Sequence, residues 1–149
     1  MIFLNLDQYQ IVILVLINMK YLLDTDICIF FLKDKYNIKD KILNVGIENC
    51  YISEITIAEL KFGVEKSEDF LKHSREVERM EELFTVIPIY NALSFFAKEK
   101  VRLQKEGNLI PDFDLLIGVT SISSDMILVS NNEKHLSRIS GVKLENWVR

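Results

Sequence analysis

The sequence predicts an α/β domain with a mostly parallel sheet, and two observations carry that reading. Short apolar runs alternate along the chain with segments whose apolar residues recur at helical spacing, the pattern of strands joined by crossover helices. No internal repeat, low-complexity tract or linker interrupts the alternation, so residues 19–149 read as one domain. The 149 residues are enough to close one sizeable core.

The first apolar run, Tyr21, Leu22 and Leu23, stops abruptly at Asp24 and reads as a buried strand ending there. A helix opens near Asp26 and continues through Ile27 to Leu32, until Lys33-Asp34-Lys35 breaks it. Ile38, Ile42, Val45 and Ile47 predict a second helix to about Gly46, and Cys50-Tyr51-Ile52 a second strand. Ser53 is a good N-cap for a helix whose inner face carries Ile57, Leu60 and Val64. The charged stretch from Ser67 to Phe84 predicts a helix with Phe70, Val77, Met80 and Phe84 inside and a solvated outer face. Val86 to Ile89 reads as an edge strand, with Pro88 suited to its end. Asn91 is placed to cap a long helix with Leu93, Phe96, Ala97 and Val101 inward and Gly107 just past its end. Leu115 to Ile122 is apolar on nearly every side and predicts a buried helix. Ile127 to Val129 is a further strand, Val142 to Leu144 a last short one, and Trp147 an anchor for the C-terminus.

Residues 1–18 stand apart. Ile11 to Ile17 is continuously apolar, yet no Lys or Arg precedes Lys20 and no small-residue cleavage site follows, so the segment lacks the parts of a signal peptide. It is also shorter than the roughly 20 residues that span a bilayer. The preferred reading is a misassigned start, with Met19, immediately before the first strand, as the real first residue. An accessory element packed on the domain and a membrane-surface anchor are the alternatives. No membrane partner is expected for the domain itself.

The net charge of −4 argues against a broad, nonspecific grip on nucleic acid. Lys33, Lys35, Lys39 and Lys41 still form a loose basic cluster that suits either an RNA backbone or solvent. Five glycines without a Gly-rich loop leave no nucleotide-phosphate cradle. Cys28 and Cys50 lack metal-ligand spacing and read as reduced core residues of a cytoplasmic protein.

Three carboxylates occupy comparable places: Asp24 at the end of the first strand, Glu59 on the helix after the second, and Asp114 at the head of the buried helix before the fourth. In a parallel sheet these places share one edge, where ligands bind in open α/β folds. Clustered acids repel, which raises their pKa values or calls for a divalent cation. A set of oxygen donors suits Mg²⁺ or Mn²⁺ better than zinc. Each acid alone has a structural explanation. Asp24 suits a turn or cap, Glu59 can close a capping box with Thr56, and Asp114 suits the N-terminal end of a helix dipole. Asp112 is a second candidate beside Asp114 and equally suits a cap. His73 and His135 fall in polar stretches and read as solvated.

Taken together, YLLDTDICIFFL, ISEITIAEL, PDFDLLIGV, LVSNN and RISGVKLENW resemble the PIN-domain ribonucleases of the VapC toxin type. The resemblance runs from Met19 to the C-terminus. It implies a PIN-like fold with a central five-stranded parallel sheet and helices on both faces. It implies catalytic acids at Asp24, Glu59 and Asp114, with Mg²⁺ bound by Asp24 and Asp114. Thr25 and Ser130 match supporting hydroxyls. Asn132 stands where the family often has a further acid, which leaves that point with only a neutral oxygen. The implied activity is metal-dependent hydrolysis of structured RNA such as tRNA or rRNA. The implied partners are a small cognate antitoxin and a second copy of the chain.

Three other readings fit parts of the sequence. Asp24-Thr25-Asp26 also fits the start of the haloacid-dehalogenase-like phosphatases, with Asp24 as nucleophile and Asp26 as general acid, but Cys28 stands where that family prefers Thr or Val. A non-enzymatic binding module would use the acids only as caps. A housekeeping RNA-processing nuclease would keep the PIN fold without an antitoxin.

Overall fold

Residues 6–149 are described by a computed structural model. Five parallel strands form the sheet: β1 (Tyr21–Leu23), β2 (Cys50–Ser53), β3 (Thr85–Ile87), β4 (Ile127–Val129) and β5 (Leu144–Glu145), in the order β3-β2-β1-β4-β5. Around it run α1 (Gln8–Ile17), α2 (Thr25–Leu32), α3 (Ile38–Val45), α4 (Glu54–Glu65), α5 (Phe70–Leu83), α6 (Leu93–Lys105), α7 (Asp112–Ser123) and the single turn α8 (Glu133–Leu136).

Side-chain alternation along the strands divides the core into two layers. Tyr21, Leu23, Ile52 and Val129 point to one face, where they meet Ile27 and Cys28 of α2, Ile38 and Ile42 of α3, Leu60 and Val64 of α4, and Val77 and Met80 of α5. Leu22 and Leu128 point to the other face, against Leu103 of α6 and Leu115, Ile117 and Val119 of α7. The central strands are covered on both sides, which is why they read as unbroken apolar runs. Both cysteines are free and buried, and Trp147 packs its ring 5.3 Å from that of Tyr21. Gly118 lets α7 approach the turn after α8, because a Cβ there would collide with Cδ1 of Ile139.

Several expected boundaries shift. β1 ends at Leu23, and Asp24 is the N-cap of a helix that already begins at Thr25. β3 lies one residue earlier than expected and stops before Pro88, and β5 covers Leu144–Glu145. Phe70 is exposed, since it sits in the first turn of α5 rather than under its body. Asn91 does not cap α6. A 3₁₀ turn at Tyr90–Ala92 precedes the helix and rotates its phase, so Ala92, Phe96 and Leu103 face inward while Leu93, Ala97 and Val101 are exposed. Gly107 ends α6 as expected, at φ +68°. Its N–H bonds the carbonyl of Gln104 and that of Asn108 bonds Leu103, a Schellman closure that needs the left-handed residue.

The segment before Met19 carries the helix α1. It lies beyond the N-terminal ends of the strands, where cavities of about 510 and 590 Å³ separate it from Met126, Ile127 and Lys143 and from Asn44 and Glu48. None of its residues is buried, and Ile11 to Ile17 are all exposed. Among the described residues no helix is long and apolar enough to cross a membrane.

Candidate active site

The connections leave β1 toward β2 and β3 on one side, while β4 and β5 lie on the other. The crevice at the carboxyl ends of β1 and β4 is therefore the topological switch point of the sheet. The two strand ends are pinned together, with the Asp24 N–H donating to the Val129 carbonyl at 2.9 Å.

Asp24 is almost wholly buried in this crevice, at 5% exposure. Its Oδ1 accepts the Thr25 N–H at 2.8 Å and its Oδ2 accepts the hydroxyl of the fully buried Ser130 at 2.6 Å. Burial pushes its carboxyl up to about 7, and the neighbouring Asp26 and Asp114 charges add to the effect against those two hydrogen bonds. Asp26 is pushed upward too, first by burial and then by Asp114, while N–H groups of Asn131 and Ile27 oppose the shift.

Glu59 reaches the crevice through a hydroxyl. Thr25 Oγ1 donates to Glu59 Oε1 at 2.7 Å and lies 3.1 Å from the Thr56 hydroxyl. Because α4 starts at Glu54 behind the Ser53 cap, Glu59 sits in mid-helix, and the capping box with Thr56 does not form. Asp114 is in the first turn of α7. Its Oδ2 accepts from Asn132 Nδ2 at 3.0 Å and lies 3.3 Å from His135 Nδ1. Asn132 N in turn donates to Ser130 Oγ at 2.9 Å.

The structure thus brings together Asp24, Thr25, Glu59, Asp114, Ser130 and Asn132. It does not bring in Asp112. Two residues before Asp114, Asp112 points around the helix to an exposed ion pair with Lys100 at 2.9 Å. His135 is not a solvated loop residue, because α8 carries it over Asp114. His73 pairs with Glu76 outside the site. The crevice also holds Asp26, which the sequence offered only as the general acid of the phosphatase reading and whose signal was its place two residues after Asp24. The basic cluster also disperses: Lys39 pairs with Asp34 at 3.3 Å, and Lys41 donates to the Trp147 carbonyl. Lys33 and Lys35 remain beside Glu59, lining with Lys72 a groove of about 540 Å³ between α2, α4 and α5.

The donor set fits a hard divalent cation. The acids present oxygen ligands, and among the described residues no Lys or Arg pairs with Asp24, Asp26 or Asp114. Nor, among those residues, do three His, Cys, Asp or Glu side chains close on one point.

Comparison with known proteins agrees with this fold. The PIN domain family matches residues 21–142. Ribonuclease VapC2 of Haemophilus influenzae is 33% identical over 131 residues, covering 87% of this chain and 99% of the relative. The tRNA(fMet)-specific endonuclease VapC of Shigella flexneri is 30% identical over 131 residues, covering 87% and 98%. A chain of the Rickettsia felis VapBC2 structure, solved with a DNA fragment from its promoter, superposes with a TM-score of 0.80 at 29% identity, covering 87% and 99%. With the sheet order and these matches in agreement, the chain belongs to the PIN-domain family, among the VapC ribonucleases.

Proposed function

We propose that this chain is the toxin of a toxin–antitoxin pair, a Mg²⁺-dependent endoribonuclease that hydrolyses phosphodiester bonds of structured RNA, tRNA or rRNA. The observation that carries the reading is the set of oxygen donors gathered where β1 and β4 end. Asp24 and Asp114 would hold Mg²⁺, or Mn²⁺ in its place. The bound ion supplies Lewis acidity at the phosphate and a lowered pKa for its water. Ser130 and Asn132 orient the two aspartates through the hydrogen bonds described above. Glu59, aimed by Thr25, would orient the attacking water. Membership of the PIN family removes the ground for a phosphatase that would use Asp24 as nucleophile.

The partners follow from the same reading. Relatives in the solved structures are VapBC complexes, which supports a small cognate antitoxin for this chain and favours a toxin over a housekeeping nuclease. The chain is taken to act in the cytoplasm and as a homodimer, for which the exposed Leu93, Phe95 and Val101 of α6 offer apolar surface. Residues 19–149 form the nuclease domain, and the extension takes no part in the chemistry.

The test is cleavage of pooled tRNA and rRNA with Mg²⁺ or Mn²⁺, with EDTA, and with Asp24→Asn as control. Discrete metal-dependent cuts that vanish in the variant are expected. A folded chain that neither cuts nor binds metal would overturn the reading.

A further inference from the structure

Asp26 has two hydrogen-bonding duties, and only one belongs to its helix. In the first turn of α2 its Oδ1 accepts the Ile27 N–H at 2.7 Å, an ordinary use of an acid at a helix N-terminus. Its Oδ2 instead crosses to the far corner of the crevice and accepts the Asn131 N–H at 2.9 Å. Asn131 lies between Ser130 and Asn132. Ser130 holds Asp24 and Asn132 holds Asp114. Three consecutive residues of the β4–α8 corner therefore each grip one of three aspartates, and the tripeptide sets their spacing.

Both Asp26 oxygens keep a free lone pair after these bonds. Through Ser130, Asn131 and Asn132 the same corner touches the carboxylates of Asp24, Asp26 and Asp114, so the three acids face one crevice. Meanwhile Asn132, in the corner itself, brings no charge.

We propose that Asp26 is a positioning residue of the metal centre, locking the β4–α8 corner over Asp24 and Asp114 and supplying the negative charge that Asn132 lacks. The inference rests on the nuclease reading. It assigns Asp26 an effect on how tightly a divalent ion is held, through the ordering of the ion's water and of the two aspartates.

The test is Mn²⁺ titration by calorimetry on the full 149-residue chain, with melting in EDTA and in Mn²⁺. Asp26→Asn keeps the shape and one acceptor but removes the charge. It is expected to weaken Mn²⁺ by on the order of tenfold, as loss of a residue behind a metal ligand does, and to reduce the Mn²⁺-induced rise in melting temperature. Excess Mn²⁺ restores its RNA cleavage, whereas Asp24→Asn stays inactive. Asp26→Glu, which keeps the charge, should fall between wild type and Asn. If Asp26→Asn does not fold, Asp26→Ser carries the same comparison. Affinity within about twofold of wild type in Asp26→Asn, with binding lost in Asp24→Asn, would overturn the role of Asp26 alone, because a residue behind the ligands should cost more than that. Equal weakening in Asn and Glu would also overturn it. Absence of Mn²⁺ binding in the wild type would remove the nuclease reading and this inference with it.

Discussion

Asp24→Asn should stabilise the metal-free protein while abolishing its activity. Burial and the neighbouring acids lift the Asp24 carboxyl from its usual 3.8 to about 7. Between those values the folded chain holds a proton that the unfolded chain releases. Stability from this group is therefore fully present below about pH 4 and is lost as pH rises through 7. The displacement corresponds to roughly 4 kcal/mol near pH 8 and under about 2 kcal/mol near pH 5. The amide removes that cost and fits the same contacts: its oxygen can accept from Thr25 N–H, and its NH₂ can donate to Ser130 Oγ. Even half of that gain, about 2 kcal/mol near pH 8, raises the melting temperature of a chain of this size by roughly 4–8 °C. Thermal melts of both proteins in EDTA near pH 5 and pH 8 test this. The gap should be wide at the higher pH and narrow at the lower. Added Mg²⁺ should raise the wild type only, by the linkage of a ligand that binds the folded state. A variant that melts below wild type near pH 8, or a gap independent of pH, would refute the assignment of Asp24 as a buried, charge-strained acid.

Four further outcomes follow from other parts of the fold. Gly118→Ala should change stability in urea unfolding by less than about 1 kcal/mol, because only the terminal Cδ1 of Ile139 stands in the way of the new Cβ and turning it aside offsets the gain in helix propensity. Glu59→Gln should lower the single-turnover cleavage rate by on the order of 10²-fold, and Thr25→Val by about tenfold through loss of the hydroxyl that aims Glu59, both with unchanged circular dichroism. A chain of residues 19–149 should cut RNA and melt like the full chain, and light scattering should show less association, since α1 leaves its apolar residues exposed and buries none.

The strands were legible because each central run is apolar without interruption, and burial on both faces leaves no other pattern. The face of α6 was not, because a 3₁₀ turn too short to show in the periodicity sets its phase and turns Ala92 and Leu103 inward in place of Leu93 and Val101. The site divides in the same way. Asp24, Glu59 and Asp114 could be found together because a strand end, a capped helix and a helix start announce them locally. Asp112 looked equivalent to Asp114, yet two residues of helix rotate it out to Lys100. Asp26 carried only its place two residues after Asp24, and His135 no local signal, since what gives each a place is the far corner. The Asn131 N–H reaches Asp26 across 105 residues of sequence, and His135 meets Asp114 across 21. Residues 130–132 look in the sequence like the tail of a strand running into polar residues. Their importance comes from parallel pairing of β4 with β1, which sets Ser130 opposite Asp24 and lets three adjacent donors meet three acids. An acid set can therefore be found from spacing, while the donors that tune it appear only once the register is known.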